Sequence, residues 1–308
     1  VTVREGLYAS VVVGYEDARS LLADPRLSKD PRRAPRDWQE AGRGRPLEDR
    51  AGLGTHLLTT DPPEHTRLRR LIASAFSLRR VERLRDRVQR HAHELIDGFE
   101  DRPEVDLITG YAFPLPVTVL CELLGVPSAD QHTFSRWTSD ILSSRHRSAD
   151  ARPVALRDLH GYVTELIRAK RSSPGDDLTS ALVTGHDKDG DLSETELISM
   201  LFLLLVTGHE TTVNLIGNGV LAFLRHPDQR ELLRARPDLL ARAVEEVLRY
   251  DSPVTMSTWR FTTEPMEIAG TEVPAGDPSS SPWPVPTAIP ATSPIPTVST
   301  SPPTGPRT

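Results

Sequence analysis

The chain has 308 residues, a net charge of −6, 26% charged and 37% hydrophobic residues, and one cysteine. Such a length supports one large domain or two smaller ones with a substantial core. The acidic balance argues against a general nucleic-acid surface or a basic membrane-binding face, and the single Cys excludes a disulfide framework and suits a reducing cytoplasm, the expected location.

The chain opens on Val-Thr-Val-Arg-Glu, which carries no charged-then-apolar export pattern. Residues 8–13 are rich in Val and Tyr and read as a strand, and 16–23 as a short helix closed by Asp24-Pro25. Residues 28–54 hold Arg32, Arg33, Arg36, Arg43, Arg45 and Arg50 among Gly and Pro and read as a long surface loop. From 62 to 227 the pattern is almost wholly helical, with breaks expected at 101–103, 114–116, 127, 172–175 and 186–190. The longest apolar run, 197–206, is interrupted by Ser199 and is shorter than the about 20 residues of a bilayer span, so no membrane partner is expected.

Ser193-Glu194-Thr195-Glu196 is a capping box. It starts a helix that Pro227 ends after His226, roughly 50 Å long at about 1.5 Å per residue. A second helix, 237–250, carries Glu246-Val247-Leu248-Arg249. Residues 255–268 then alternate apolar and polar, and Ala269-Gly270 turns the chain into 271–273 as a hairpin. Residues 278–308 hold ten Pro, six Ser, six Thr and one charge, a composition that specifies no packed structure. The expected fold is mainly α with a small β region over 1–277, followed by a Pro/Ser/Thr-rich disordered tail over 278–308.

Chemistry concentrates on the long helix, where an apolar core runs straight into Gly208-His209-Glu210-Thr211-Thr212. A local rule break inside a strong helix is where a functional site is expected. Thr207, Thr211, Asn214 and Asn218 are spaced to share one face, with Glu210 beside it. Such a seam is either a buried polar network or the wall of a wet cavity. A carboxylate next to a hydroxyl can pass a proton inward, which is general-acid work.

His65 and Arg69 stand one helical turn apart and can together hold a carboxylate or a phosphate; the alternative is a solvated basic helix. Arg67, Arg69, Arg70, Arg79 and Arg80 crowd the same region without a nucleic-acid recognition motif, so no nucleic-acid partner is expected. Glu246 and Arg249 form a helical ion pair whose burial the spacing leaves open; exposed, it contributes about 0.2–0.5 kcal/mol.

No metal site emerges. His209-Glu210 begins like a zinc-protease helix, but Val213 stands where the second His should be. Asp187, Asp189 and Asp191 resemble a calcium loop, with Gly190 misplaced and Ile198 in the position of the bidentate Glu. Cys121 lies in an apolar run without a basic neighbour and reads as a packed core thiol.

Together these segments resemble the cytochrome P-450 family, the haem-thiolate monooxygenases, and in particular its soluble bacterial members. Gly208-His209-Glu210-Thr211-Thr212 is similar to the family's oxygen-activating helix signature, with Thr207 where Ala is usual. Glu246-Val247-Leu248-Arg249 is similar to its ExxR motif, and Asp61-Pro62-Pro63-Glu64-His65-Thr66-Arg67-Leu68-Arg69-Arg70 to the helix whose His and Arg hold the haem propionates. Arg260 in Thr258-Trp259-Arg260-Phe261 matches a further propionate-binding Arg, and Cys121-Glu122-Leu123-Leu124-Gly125-Val126-Pro127 a common packing segment. The resemblance covers about residues 8–277.

It implies a cytochrome P-450 fold, incomplete at the C-terminus, and a haem b cofactor with carboxylates held by His65, Arg69 and Arg260. Thr211 would steady bound oxygen and help deliver protons that Glu210 relays, while Glu246 and Arg249 would be structural. The implied reaction inserts one oxygen atom from O2 into a C–H bond or double bond of a small hydrophobic organic substrate. Electrons would come from a ferredoxin or flavoprotein docking near the Arg-rich side. One element departs from the pattern. The family's axial thiolate lies in a Gly-rich loop well after the ExxR motif, and no Cys follows Cys121. An inactive fragment is therefore expected; the alternative is a haem-free pseudoenzyme, a helical scaffold that binds a protein partner.

The tail has a second reading, as ordinary family sequence translated one base out of frame. Trp283 has the single codon TGG, so Trp283-Pro284 forces GCC, Ala, in the shifted frame. The neighbouring residues permit Ala-x-Ala-Asn-Arg-Asp-Pro-x-x-Phe-Pro-Asp-Pro-Asp, which resembles the strand and loop the family places before its haem loop. Nucleotide sequencing beyond codon 277 is expected to show an alternate frame that reaches a Cys in a Gly-rich loop. An early stop in that frame would exclude the shift.

Overall fold

The computed structural model describes residues 2–4, 7–40, 48, 51–76, 78–99, 101–142, 151–189 and 192–280. Its first elements are β1 (Thr2–Arg4), β2 (Leu7–Tyr8), β3 (Ser10–Val11), α1 (Tyr15–Leu22), β4 (Leu27–Ser28) and α2 (Arg36–Glu40). The helical body comes next as α3 (Glu64–Ala75), α4 (Leu78–Asp97), a π-helical segment (Ile108–Ala112), α5 (Pro114–Leu124), α6 (Gln131–Leu142), α7 (Ala151–Ser172), α8 (Leu178–Asp189), α9 (Glu194–Arg225), α10 (Pro227–Ala235) and α11 (Leu240–Tyr250). The chain returns to strand as β5 (Arg260–Thr262), β6 (Met266–Ile268), β7 (Thr271–Val273) and β8 (Pro278–Ser280).

The long helix is α9. Ser193 accepts from the Glu196 backbone N–H, and the Glu196 carboxylate accepts from that of Ser193, so the capping box forms as its sequence requires. Leu197, Ile198, Met200, Leu201, Phe202, Leu203, Leu205 and Val206 are all buried, so the run 197–206 holds no exposed residue. It packs against α5, α6, α7 and α8. By length and composition alone α9 could cross a bilayer; here the apolar run 197–206 lies in the protein core.

The main sheet has the order β3-β8-β5-β4, with β3 parallel to β8 and the other pairs antiparallel. It joins the start of the chain to the segment after α11. Two small apolar clusters cover it, one around Val12, Leu27, Met266 and Val273, the other around Ala9, Ala34, Trp38 and Phe261.

Several local expectations change. Residues 8–13 are not one strand: β2 pairs with β1, and β3 joins the main sheet. The surface loop of 28–54 contains α2, whose Trp38 is 1% exposed and meets Trp259 edge-on at 5.0 Å. Pro114 and Pro116 open α5 instead of breaking a helix, because the first turn has no intrahelical use for their missing N–H groups. Pro278, Ser279 and Ser280, placed in the tail by composition, form β8 in the middle of the sheet. Residues 281–308 lie outside the described residues.

The β6–β7 hairpin turns on Ala269 and Gly270, at φ 48° and 78°. A two-residue turn with both φ positive favours Asn-Gly, and an Ala Cβ is strained there. Ala269→Asn is expected to raise stability by about 0.5–1 kcal/mol, read as a higher denaturant midpoint at unchanged slope.

Candidate functional site

On α9 the buried run ends at Val206, and the next turns alternate between inside and outside. Thr207 donates to the Leu203 carbonyl at 2.7 Å, His209 Nδ1 lies 3.1 Å from the Leu205 carbonyl, and Thr211 donates to the Thr207 carbonyl at 3.5 Å. A carbonyl can only accept, so Nδ1 carries the imidazole proton. Gly208 sits where an added Cβ would come within 3.0 Å of Leu120 Cδ1, so the glycine lets α5 pack close to the helix.

His209 is 2% exposed and lies edge-on to Phe113 at 5.9 Å and Phe134 at 6.1 Å. Burial pushes its imidazole pKa down, opposed by the Leu205 hydrogen bond. At about 100° per residue, fixing His209 inward turns Thr211 to the opposite side of the helix. Thr211 is half-buried, while Thr207 and Glu210 are exposed. Partial desolvation raises the Glu210 carboxyl pKa, and its side chain has no hydrogen-bond partner among the described residues. The polar seam expected from spacing is thus not one network. Its threonines bond into their own helix, and Asn218 donates instead to the Asp251 carbonyl at 3.0 Å, at the end of α11.

Glu246 and Arg249 form a two-pronged pair at 2.5 and 2.8 Å, with side chains only 19% and 10% exposed. The Glu246 hydrogen bonds hold the guanidinium pKa above its ordinary value. This is a sequestered fork, and the small contribution of a surface pair does not describe it. Removing either partner would strand a charge in a poorly hydrated place.

The cations fall into a separate corner. His65 and Arg69 stand on one face of α3, and Arg260 begins β5. Burial lowers the His65 pKa, and Lys29, Arg69 and Arg260 lower it further, with Asp61 opposing them. Burial likewise lowers the Arg260 guanidinium, whose Nη1 donates to the Thr258 hydroxyl at 2.6 Å. Arg69 is exposed and has no hydrogen bond or ion pair among the described residues. The structure therefore gathers His65, Arg69 and Arg260 in one corner and adds Lys29. No spacing rule reveals Lys29, because it reaches the corner through the pairing of β4 with β5.

Cys121 is wholly buried on α5, and desolvation pushes its thiol up to about 12. It stays protonated in an apolar core and offers no thiolate. Among the described residues no cluster of three or more His, Cys, Asp or Glu could hold a metal ion.

A sequence model of the Cytochrome P450 family matches residues 11–278. The chain belongs to the cytochrome P450 family. It is 48% identical over 280 residues to the cytochrome P450 monooxygenase PikC of Streptomyces venezuelae, covering 90% of this chain and 65% of that one. With the vitamin D(3) 25-hydroxylase of Pseudonocardia autotrophica it shares 46% identity over 268 residues, covering 85% and 64%. A solved myxobacterial cytochrome P450 in complex with myristic acid superposes with a TM-score of 0.81 at 42% identity, over 88% of this chain and 68% of that one. The chain thus spans about two thirds of the length of the curated relatives it matches.

Cytochromes P450 are haem proteins, and the residues present fit half of that group. Three fixed cations and a histidine gathered around the single carboxylate of Asp61 suit the two carboxylates of a porphyrin. The iron's thiolate has no counterpart, since the only cysteine of the sequence is the buried Cys121.

His209 gives a pH test. Its folded-state pKa lies below the unfolded value, so its contribution to stability is intact above the unfolded pKa of about 6.5 and erodes as pH falls from there. Denaturation midpoints should drop between pH 7 and pH 5.5. His209→Phe, which keeps the ring packing and cannot titrate, should flatten that drop.

Proposed function

We propose that this chain carries the oxygen-facing helix and the carboxylate-binding corner of a cytochrome P450 monooxygenase, and that these 308 residues alone do not turn over. The observation that carries the reading is the cationic corner: three fixed cations with one nearby carboxylate form a receptor for a dianion. His65, Arg69 and Arg260 would hold the haem carboxylates there. Bound haem supplies the redox chemistry by which one oxygen atom of O2 enters a C–H bond or double bond.

The chain's own residues serve the proton side of that reaction. Glu210 is open to solvent with a raised carboxyl pKa, which suits a group that takes up and releases protons. Thr211, one residue on and half-buried, would pass the proton inward from its hydroxyl. Its own bond to the Thr207 carbonyl is long, at 3.5 Å, so turning the hydroxyl toward a ligand costs little. The substrate class we assign is a hydrophobic organic molecule, in keeping with a relative named for vitamin D(3) and a neighbour that holds myristic acid. A ferredoxin or flavoprotein in the cytoplasm would supply the electrons.

A reduced, carbon monoxide-treated spectrum tests the reading. The chain incubated with haem is expected to lack the band of a thiolate-ligated haem, because Cys121 keeps its proton and its place in the core. A thiolate-type band from the chain would overturn the assignment of inactivity.

A further inference from the structure

Lys29 reaches the corner by strand register. In the antiparallel pair of β4 and β5, Leu27 lies opposite Thr262 and Ser28 opposite Phe261. The next step of that register sets Lys29 across from Arg260. Its backbone N–H donates to Asp61 Oδ1 at 2.9 Å, and the Ser28 hydroxyl donates to Asp61 Oδ2. The Asp61 carbonyl in turn accepts from the His65 N–H at 2.9 Å. One residue therefore ties the end of β4 to the first turn of α3, the helix that carries His65 and Arg69.

The charges at this junction do not balance. Both Asp61 oxygens are engaged by a backbone N–H and a hydroxyl, and among the described residues Asp61 makes no ion pair with the cations around it. Among the described residues Lys29 Nζ has only the neutral Leu57 carbonyl, at 3.1 Å. Burial and the charges of Arg260 and Arg69 push its ammonium pKa down. A half-buried lysine facing two arginines is held against its electrostatic preference, and an anion set among them would relieve it.

We propose that Lys29 is a fourth anchor for the porphyrin carboxylates, and that Asp61 is the positioning residue that sets its spacing from His65 and Arg69. This rests on the reading of the corner as the carboxylate site. It assigns binding to the residue that follows β4, so that the ligand is gripped from two separate segments. It also makes the ligand a cross-link between the sheet and the helical body.

The test uses the full chain with iron-free protoporphyrin IX, which needs no axial ligand, and its dimethyl ester. Binding is read by quenching of tryptophan fluorescence, Trp259 being the neighbour of Arg260. The free acid should bind at least about tenfold more tightly than the ester, and Lys29→Met should weaken acid binding roughly tenfold, the loss of one charge-assisted hydrogen bond. Lys29→Arg should retain most of the affinity, and ester binding should be the same in Lys29→Met as in the parent. Without porphyrin, Lys29→Met should keep or raise the unfolding midpoint, because it removes a repelled cation. A Lys29→Met chain that binds the acid as the parent does, while Arg69→Met loses affinity, would overturn the role of Lys29 and leave the corner intact. A midpoint and affinity that fall together in Lys29→Met would make Lys29 structural and overturn the proposal. Equal binding of acid and ester by the parent would overturn the reading of the corner itself.

Discussion

One helix has to be both the centre of the core and the wall of a site, and the rest of the structure is arranged around that double demand. The run 197–206 of α9 holds no exposed residue, and the turns just after Val206 are polar. Burying a Val, Leu, Ile, Phe or Met side chain is worth about 1.5–3 kcal/mol, and eight such residues are buried between 197 and 206. Against that, a mid-helix glycine costs about 1 kcal/mol and a threonine less. The core half therefore dictates the rotational phase of the whole rod. Gly208, His209 and Thr211 inherit a geometry they did not have to create, and the imidazole of His209, boxed by Phe113 and Phe134, secures it at the point of change.

Charge is handled in two opposite ways. Arg249 has a carboxylate fork of its own, and its guanidinium pKa is raised; Arg260 has neutral partners, and its pKa is lowered by burial. The same side chain thus has a charged partner in one place and only neutral ones in the other. The closed pair is internal to α11. An unmatched set costs less to pair with an incoming anion, because part of the desolvation has already been suffered.

Local signals in the sequence translated well. The capping box of α9, its stop before Pro227 and the hairpin at Ala269-Gly270 depend on residues within a few positions of one another, so spacing suffices to read them. His65 and Arg69 were legible for the same reason, being one turn apart. Apart from the prolines that open α5, the main misses were non-local. Trp38 lies in a charged, proline-bearing stretch yet is buried, because Trp259, far along the chain, meets its ring. Pro278 and Ser279 look like linker but fill the gap between β3 and β5. His209 gains its meaning from two phenylalanines on other segments, and Lys29 from the charge of Arg260, more than two hundred residues away. Composition and period carry no record of such partners.

Glu196 is a single side chain with two duties. Its carboxylate closes the cap of α9 and also pairs with Arg67 on α3, in the turn between His65 and Arg69. Those hydrogen bonds hold its pKa down in spite of burial, so the tie persists well into acid. The origin of the central rod and the helix bearing the cations are consequently measured from a common point. Sliding either along its axis would break a helix start as well as an ion pair, so the separation between the Glu210–Thr211 turn and the His65–Arg69 face behaves as a fixed dimension of the scaffold, measured from the start of the rod where it meets α3.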